Sequence, residues 1–236
     1  MEVDLHTHTI ASGHGSADTI QMMVKTAAAR GVRLLGISDH GPRTTGSASE
    51  SYFRSLRYAP HHRSGVELLY GAEANIISAA GELDLGSTTL AGLDYVIASM
   101  HPVLFAPGDI VHNTQALLRT MQNPYVRIIG HPDDTAYPLD YPEIFQEAMK
   151  RHILLEINDS SLSPEGYRGD TRHNDLTLLQ LCRQYRYPVL LGSDSHGVAR
   201  LGSFTYAGAL LRSVAFPEEL LLNRRPEAVK DFLHKK

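Results

Sequence analysis

The sequence predicts an α/β barrel in which seven parallel strands alternate with helices, one unit short of the familiar eight. Apolar, β-branched segments alternate with segments of helical periodicity, and the connections between them are short. In addition, six apolar runs each stop at a residue that can bind a metal ion. The carboxyl ends of parallel barrel strands meet at one face, so these residues are expected to converge. The six runs are VDLHTH, LLGISDH, LLYGAE, YVIASMH, VRIIGH and PVLLGSDSH.

The first unit consists of a strand at about 3–8 and a helix at about 18–30. Asp18 can cap that helix, and Gly31 can end it. Between them the apolar residues recur at helical spacing, namely Ile20, Met23, Val24 and Ala27.

The next units follow the same alternation. Strands two to five are predicted at about 32–38, 66–72, 94–99 and 126–130. Helices are predicted at about 48–59 and 109–122. After the third strand, the segment ANIISAAGELDLG predicts an inserted hairpin with Gly81 at its turn.

The last part of the chain completes the barrel. Pro142 in a first turn begins the helix YPEIFQEAMKRH, which leads to the sixth strand, ILLEIN. A polar loop, a helix at about 175–186 and the seventh strand, PVLLGSD, follow. Two closing helices are predicted at about 205–213 and 226–234, and residues 1–236 are expected to form a single domain.

Composition excludes several classes of function. A chain of 236 residues that is 42% hydrophobic can bury a full core. The formal charge of −4 and the absence of a Lys or Arg run argue against a nucleic-acid partner. No window approaches the roughly 20 apolar residues of a membrane span. We expect no secretory signal, because the charged residues Glu2 and Asp4 stand where such a signal would need a basic region followed by a long apolar one. The lone Cys182 has no disulfide partner and is expected in the core, so we expect a cytoplasmic protein.

The residues at the strand ends are the candidate site. In HTH, residues 6 and 8 share one face of a strand, so both imidazoles can reach one ion. His14, in the turn SGHG, could swing back over the same mouth. The chance alternative is real, because thirteen histidines in 236 residues will produce some pairs. The other strand-end candidates are Asp39, His40, Glu73, His101, His131, Asp194 and His196.

Several of these candidates suggest distinct roles. His40 is the better ligand in SDHG, whereas Asp39 could orient a neighbouring imidazole. Glu73 follows an apolar strand, where a lone buried carboxylate would be costly, and its two oxygens could bridge two cations. Pro102 and Pro132 stiffen the chain after His101 and His131.

Cationic and polar side chains near the mouth could bind phosphate or line the substrate pocket. Guanidinium groups suit phosphate geometry, although each Arg could equally be an ordinary surface residue. The candidates are Arg43, Arg168 or Arg172, Arg200, Asn158 and Asp159.

With these residues in place, the chain resembles the polymerase and histidinol phosphatase (PHP) superfamily, and within it the small YcdX-like phosphatases. The resemblance covers nearly the whole chain and includes DLHTHT, SDHGP, GAEANI, FAP, NTQA, GHP, LEINDSS and LGSDSH. It implies a distorted (β/α)7 barrel, three divalent metal ions, most often zinc, and a homotrimer as one permitted assembly. Manganese and iron suit the same mixed His and carboxylate ligands.

The resemblance also implies a ligand set for each ion. His6, His8, Glu73 and Asp194 would hold the first ion. Glu73, His101 and His131 would hold the second, with Glu73 bridging. His14, His40 and His196 would hold the third, and Asp39 is absent from the set.

The expected activity is hydrolysis of small phosphomonoesters by a metal-activated hydroxide that attacks phosphorus in line. Glu73, Asp194 and His196 are the expected catalytic residues. Three alternatives stay open: a histidinol phosphate phosphatase, a phosphodiesterase or nuclease-like enzyme, and a non-catalytic binding module that metal ions stabilise.

Overall fold

The computed structural model describes residues 1–234. The strands are β1 Val3–Asp4, β2 Thr7–His8, β3 Leu34–Ile37, β4 His62–Arg63, β5 Val66–Asn75, β6 Tyr95–Ser99, β7 Val126–Ile129, β8 Leu154–Asn158, β9 Leu190–Gly192 and β10 Ser195–His196. The helices are α1 Ile20–Ala29, α2 Glu50–Ser55, α3 Ser87–Leu90, α4 Ile110–Thr120, α5 Tyr141–Arg151, α6 Arg172–Tyr185, α7 Thr205–Ser213 and α8 Pro226–His234. Short 3-10 helices lie at Ile10–Ser12, Leu56–Tyr58, Glu218–Leu220 and Leu222–Arg224.

The main sheet confirms the predicted seven-stranded parallel barrel. Its strands follow the order β1, β3, β5, β6, β7, β8 and β9, and β4 adds a short antiparallel edge to β5. At the carboxyl ends of the strands, β2 pairs in parallel with β10 and closes the circle. That register places His196 beside His8, and the closure therefore helps to assemble the site.

The first predicted strand is divided in the structure. β1 pairs with β3, whereas β2 pairs with β10 on the other side. Between β2 and the β3 segment, Ser38 N donates to Thr7 O over 3.0 Å, and side chains add to this backbone bond. Thr7 Oγ1 donates to Gly36 O over 2.6 Å, and Ser38 Oγ accepts from Thr7 N over 3.1 Å. The seventh predicted strand, PVLLGSD, corresponds to β9 alone, and β10 follows it directly.

The helix boundaries agree with the prediction except at two starts. Thr19, not Asp18, caps α1, because the Thr19 side chain accepts from Met22 N while Asp18 accepts from Val198 N. The prediction for Asp18 is therefore wrong. Helix α6 begins at Arg172, earlier than predicted, whereas Pro142 lies in the first turn of α5 as expected. The predicted turn at Gly81 is confirmed by its positive φ of 78° and by the flanking antiparallel bridge.

Two apolar layers stabilise the barrel. The larger layer lies between the sheet and the surrounding helices, and it includes Cys182, whose burial raises its thiol pKa to about 12. The smaller layer fills the barrel interior and is closed by Val229, Phe232 and Leu233 of α8. Within residues 1–234, no helix is both long and apolar enough to cross a membrane.

At the end away from the mouth, the segment around Leu221–Asn223 occupies the gap between β9 and β1. Val189 pairs in parallel with Leu221. The buried Asn223 then bridges the two strands: its Oδ1 accepts from Leu191 N over 2.7 Å, and its Nδ2 donates to Leu191 O and Val3 O over 2.8 and 3.0 Å. The Asn223 side chain thus provides hydrogen bonds that an eighth strand between β9 and β1 would otherwise make.

We expect Asn223→Ala to lower the free energy of unfolding by about 2–4 kcal/mol, because it removes three buried hydrogen bonds from backbone groups. Urea unfolding at fixed metal concentration measures the change. Asn123→Ala, which removes one bond to the Tyr125 N–H in a half-buried turn, is the matched control and should change stability by less than about 1 kcal/mol. Equal losses in both variants would contradict the bridging role of Asn223.

Candidate metal centre

The barrel brings nine predicted ligand residues together at its mouth. They come from the carboxyl ends of the strands or from the residues that directly follow them, with His14 reaching in from the loop after β2. Most are buried, although His101 and His196 are half-buried and His14 is exposed. We call this set the nine-residue cluster: His6, His8, His14, His40, Glu73, His101, His131, Asp194 and His196.

The Glu73 carboxylate lies at the centre of the cluster. It is 0% exposed and has five imidazoles within 3.5 Å. His40 Nδ1 lies 2.7 Å from Oε2, and His131 Nε2 lies 2.8 Å from Oε1. The Nε2 atoms of three more imidazoles lie 3.4–3.5 Å from a Glu73 oxygen, those of His6, His8 and His101.

Asp194 is the second carboxylate of the cluster, and its two oxygens face different partners. Oδ1 lies 3.3 Å from His8 Nε2 and 3.7 Å from His6 Nε2. Oδ2 accepts from Arg168 Nη2 over 2.9 Å. The guanidinium therefore holds one oxygen and leaves the other directed at the imidazoles.

The imidazoles on the His8 side are stacked. Ring centroids are 4.2 Å apart for His8 and His196, and 4.3 Å apart for His8 and His40. The exposed His14 stacks on His40 at 4.8 Å and lies 5.1 Å from His196. The loop histidine thus does return to the mouth, as its position in SGHG suggested.

The outward-facing nitrogens of two imidazoles have fixed hydrogen-bond acceptors. His6 Nδ1 donates to Glu156 Oε1 over 2.7 Å, and His101 Nδ1 donates to Asn75 Oδ1 over 2.7 Å. Such contacts fix the tautomer, so that the Nε2 lone pair faces the cluster.

His8 is oriented through a relay rather than by a carboxylate directly. Ser12 Oγ donates to Asp39 Oδ1 over 2.8 Å and accepts from His8 Nδ1 over 3.0 Å. Asp39 also accepts from Thr9 N and the Tyr52 hydroxyl. Asp39 can therefore orient the His8 imidazole, as hypothesised, through hydrogen bonds that pass by way of Ser12.

The inward-facing atoms have the properties that metal ions require. The Nε2 atoms of His6, His8, His101 and His196 are buried and have no hydrogen-bond partner among residues 1–234. Buried polar atoms are normally satisfied, so these lone pairs fit a cation. Three triads have ligand atoms within 4.8 Å of one another: His6, His8 and Asp194; His40, Glu73 and His101; and His8, His40 and His196.

The charges of the ligands suit the same use. Burial alone would raise the pKa of the Glu73 carboxyl, but the imidazoles led by His40 and His6 hold it well below its ordinary value. Burial likewise opposes ionisation of Asp194, yet Arg168 and His6 hold its pKa low. Burial and the adjacent His40 lower the pKa of His8, which leaves a neutral imidazole able to donate its lone pair.

Two cluster residues have strained backbones. His131 and Asp194 have positive φ values of 31° and 51°, which non-glycine residues rarely adopt. The His131 conformation is held by its N–H, which donates to Glu156 Oε2 over 2.8 Å. Strain of this kind concentrates at functional sites, where it directs a side chain that regular geometry would turn elsewhere.

The predicted substrate-binding residues differ in their surroundings. Asn158 is fully buried, and its Nδ2 donates to Glu156 Oε2 over 2.9 Å and lies 3.4 Å from Asp194 Oδ2. Arg200 Nη2 lies 3.5 Å from Asp159 Oδ2, and Arg43 is exposed with no side-chain ion pair or hydrogen bond in the part of the chain that the structure describes. Whether any of them contacts substrate stays a prediction.

The two remaining arginine candidates separate clearly. Arg168 is 4% exposed, and its Nη1 donates to Ser161 Oγ over 3.1 Å besides the contact of Nη2 with Asp194. Arg172 is exposed and donates to Ser213 Oγ over 3.3 Å on the outer surface.

Reasoning from sequence missed three supporting residues, Glu156, Ser12 and Asn75. Glu156 lies in the middle of ILLEIN, where a charged residue interrupts an otherwise apolar strand, and that interruption is a usable signal. Ser12 and Asn75 are ordinary polar residues in their sequence context. Only the packed barrel shows that they contact the histidines.

The chain is similar in sequence to known proteins. A family model described as "PHP domain" matches residues 4–160. The chain is 36% identical to a "Probable phosphatase" of Clostridium botulinum over 234 residues, which is 99% of this chain and 95% of the relative. A protein of the same description from Shewanella sediminis is 39% identical over 234 residues, covering 99% and 94% of the two chains.

Solved structures share the fold at low identity. Histidinol phosphate phosphatase from Lactococcus lactis, complexed with zinc, L-histidinol and phosphate, has a TM-score of 0.61 and 18% identity and covers 92% of this chain and 94% of its own. The putative histidinol phosphatase from Listeria monocytogenes has a TM-score of 0.59 and 20% identity over 87% and 99% of the two chains.

We expect Glu156→Gln to weaken metal binding by about 10–100-fold, because one amide cannot accept from both the His6 imidazole and the His131 backbone. Competition with a chromophoric chelator measures the affinity. The control is Glu67→Gln, since Glu67 lies at the amino end of β5 and pairs with Lys230 instead. An unchanged affinity in Glu156→Gln would show that Glu156 does not position the ligands.

Proposed function

Because the chain belongs to the PHP domain family and is a metal-dependent phosphatase, we propose that it hydrolyses small phosphomonoesters at the nine-residue cluster. The observation that carries this proposal is the environment of Glu73, where five imidazoles surround one buried carboxylate. A carboxylate at the centre of so many lone pairs suits a site for several cations.

We further propose three divalent ions, with zinc as the native metal. In this assignment Glu73 joins His6, His8 and Asp194 at one ion and His101 and His131 at a second, as the family resemblance implies. The third would be held by His14, His40 and His196. The contacts between Glu73 and His101 and the stacking of His14 on His40 support the arrangement. The zinc in the Lactococcus lactis structure supports the choice of metal.

When bound, divalent ions supply Lewis-acid chemistry, because they acidify water and neutralise the charge that develops on a phosphoryl group. The residues of the chain provide the positions for that chemistry. Arg168 holds Asp194 Oδ2, so Oδ1 stays directed into the cluster. Glu156 orients His6 and fixes the backbone of His131. Glu73, Asp194 and His196 take part in catalysis as ligands of the metal ions.

The substrate is expected to be small. The formal charge of −4 provides no general attraction for a polyanion. We propose Arg200 and Arg43 as phosphate contacts, since Arg200 is 37% exposed beside the mouth and the Arg43 side chain is exposed. The full burial of Asn158 favours a positioning role beside Asp194 over direct contact with substrate.

The first test is hydrolysis of p-nitrophenyl phosphate by purified protein before and after chelation, with zinc and manganese restored separately and bound metal counted. We expect activity to disappear with the metal and to return with it. The bis ester should be hydrolysed far more slowly, and histidinol phosphate tests the substrate that the Lactococcus lactis neighbour suggests. Full metal occupancy without hydrolysis of any phosphoester would favour the non-catalytic binding module.

Metal counting also tests the bridging role. Glu73→Ala should lose about two ions per chain, whereas His14→Ala should lose about one, because His14 contributes to the edge of the cluster alone. His112→Ala, at an exposed histidine stacked on Phe105, is the control and should lose none. Plasma emission spectroscopy after desalting gives the counts, and equal losses from Glu73→Ala and His14→Ala would contradict bridging.

A further inference from the structure

We propose that Tyr167 forms a subsite for the leaving group and favours phosphomonoesters whose leaving group carries an aromatic or other flat apolar face. The inference rests on the proposed phosphatase function and adds the class of substrate. Tyr167 lies in the loop between β8 and α6, which follows the carboxyl end of β8 and therefore belongs to the mouth.

Tyr167 is close to the cluster although its side chain is exposed. Its hydroxyl accepts from Arg168 Nη2 over 3.0 Å, and the same Nη2 donates to Asp194 Oδ2 over 2.9 Å. The hydroxyl is thus two hydrogen bonds from a cluster carboxylate. Because its oxygen accepts from Arg168, its own O–H is available to a ligand.

The Tyr167 ring packs against a buried arginine. The Arg168 guanidinium lies over it at 4.8 Å from the centroid, and Arg168 itself is fixed by Ser161 and Asp194. The Arg168 carbonyl also accepts from Thr135 Oγ1 over 2.7 Å, which ties the loop to the residues after β7. The aromatic face of Tyr167, which is 77% exposed, is therefore accessible to a ligand at a site next to the cluster.

Two other exposed apolar side chains closely follow cluster histidines in the sequence. Val103 is 86% exposed and follows His101 by two residues, and Ile10 is 56% exposed and follows His8 by two residues. Each therefore stands on a loop that leaves the mouth from a cluster histidine. Charged or hydroxyl-rich leaving groups would gain little binding free energy from these apolar side chains. Apolar leaving groups would bind more tightly, because contact with the side chains removes apolar surface from water.

The chain provides a matched control in Tyr58. Its ring is 75% exposed, and Arg57 stacks over it at 4.7 Å and donates to its hydroxyl over 2.6 Å. Tyr58 lies before β4 and the amino end of β5, on the face away from the mouth. The two tyrosines share their local contacts and differ in their distance from the cluster.

The test compares the binding of benzylphosphonate and methylphosphonate to metal-loaded protein by calorimetry. Wild type should bind benzylphosphonate more tightly. Tyr167→Ala should weaken benzylphosphonate about 10-fold and methylphosphonate less than about 2-fold, and Tyr167→Phe should keep the preference. Tyr58→Ala should change neither affinity. With benzyl phosphate and ethyl phosphate as substrates, Tyr167→Ala should lower kcat/KM for the benzyl ester selectively, through KM.

Three results would overturn the proposal. Equal weakening of both phosphonates in Tyr167→Ala would mean that the ring acts only through Arg168. Unchanged affinities of Tyr167→Ala for both phosphonates would exclude contact between the ring and the ligand. If Tyr167→Ala changed the molecular mass in solution but kept the preference for benzylphosphonate, the ring would belong to an interface between copies of the chain. If wild type hydrolyses no phosphomonoester yet distinguishes the two phosphonates as expected, the proposed function fails and the subsite stands.

Discussion

The structure depends on the contact of one buried carboxylate, Glu73, with five imidazoles. Assembling so many Lewis bases in a region of low dielectric is unfavourable unless cations compensate them. The fold provides the position, because β5 lies between β3 and β6 in the sheet and continues past Glu73 to Asn75. The rest of the mouth then serves to aim lone pairs at that one point.

The imidazole lone pairs point into the cluster because buried hydrogen-bond acceptors around it hold the histidine rings in position. Glu156 accepts hydrogen bonds from His6 and from the backbone of His131, and Asn75 orients His101. Ser12 donates to Asp39 and accepts from His8, so it links these two residues. Except for the contact of Ser12 with His8, these hydrogen bonds join residues at least 25 positions apart, so they also hold the barrel strands to one another. Binding of metal and stability of the fold are therefore coupled through the same side chains.

Barrel closure and the site share a structural solution. No strand ladder joins β9 to β1, and the chain closes the circle instead by β2 with β10 at the mouth and by Asn223 at the opposite end. The first of these closures places His196 beside His8. The irregularity of the barrel is thus part of how the cluster is assembled, and the loop after β8 adds Arg168 and Tyr167 to its edge.

The sequence by itself determined the barrel, its order of strands and the residues gathered at its mouth, because local periodicity and strand ends are properties of short segments. It could not show that the first strand divides, that Thr19 caps α1, or that Glu156 and Ser12 contact histidines. Those features depend on which distant groups meet when the sheet closes. The tertiary structure also separated the arginines, burying Arg168 against Asp194 and leaving Arg172 on the surface, since burial is decided by packing across elements.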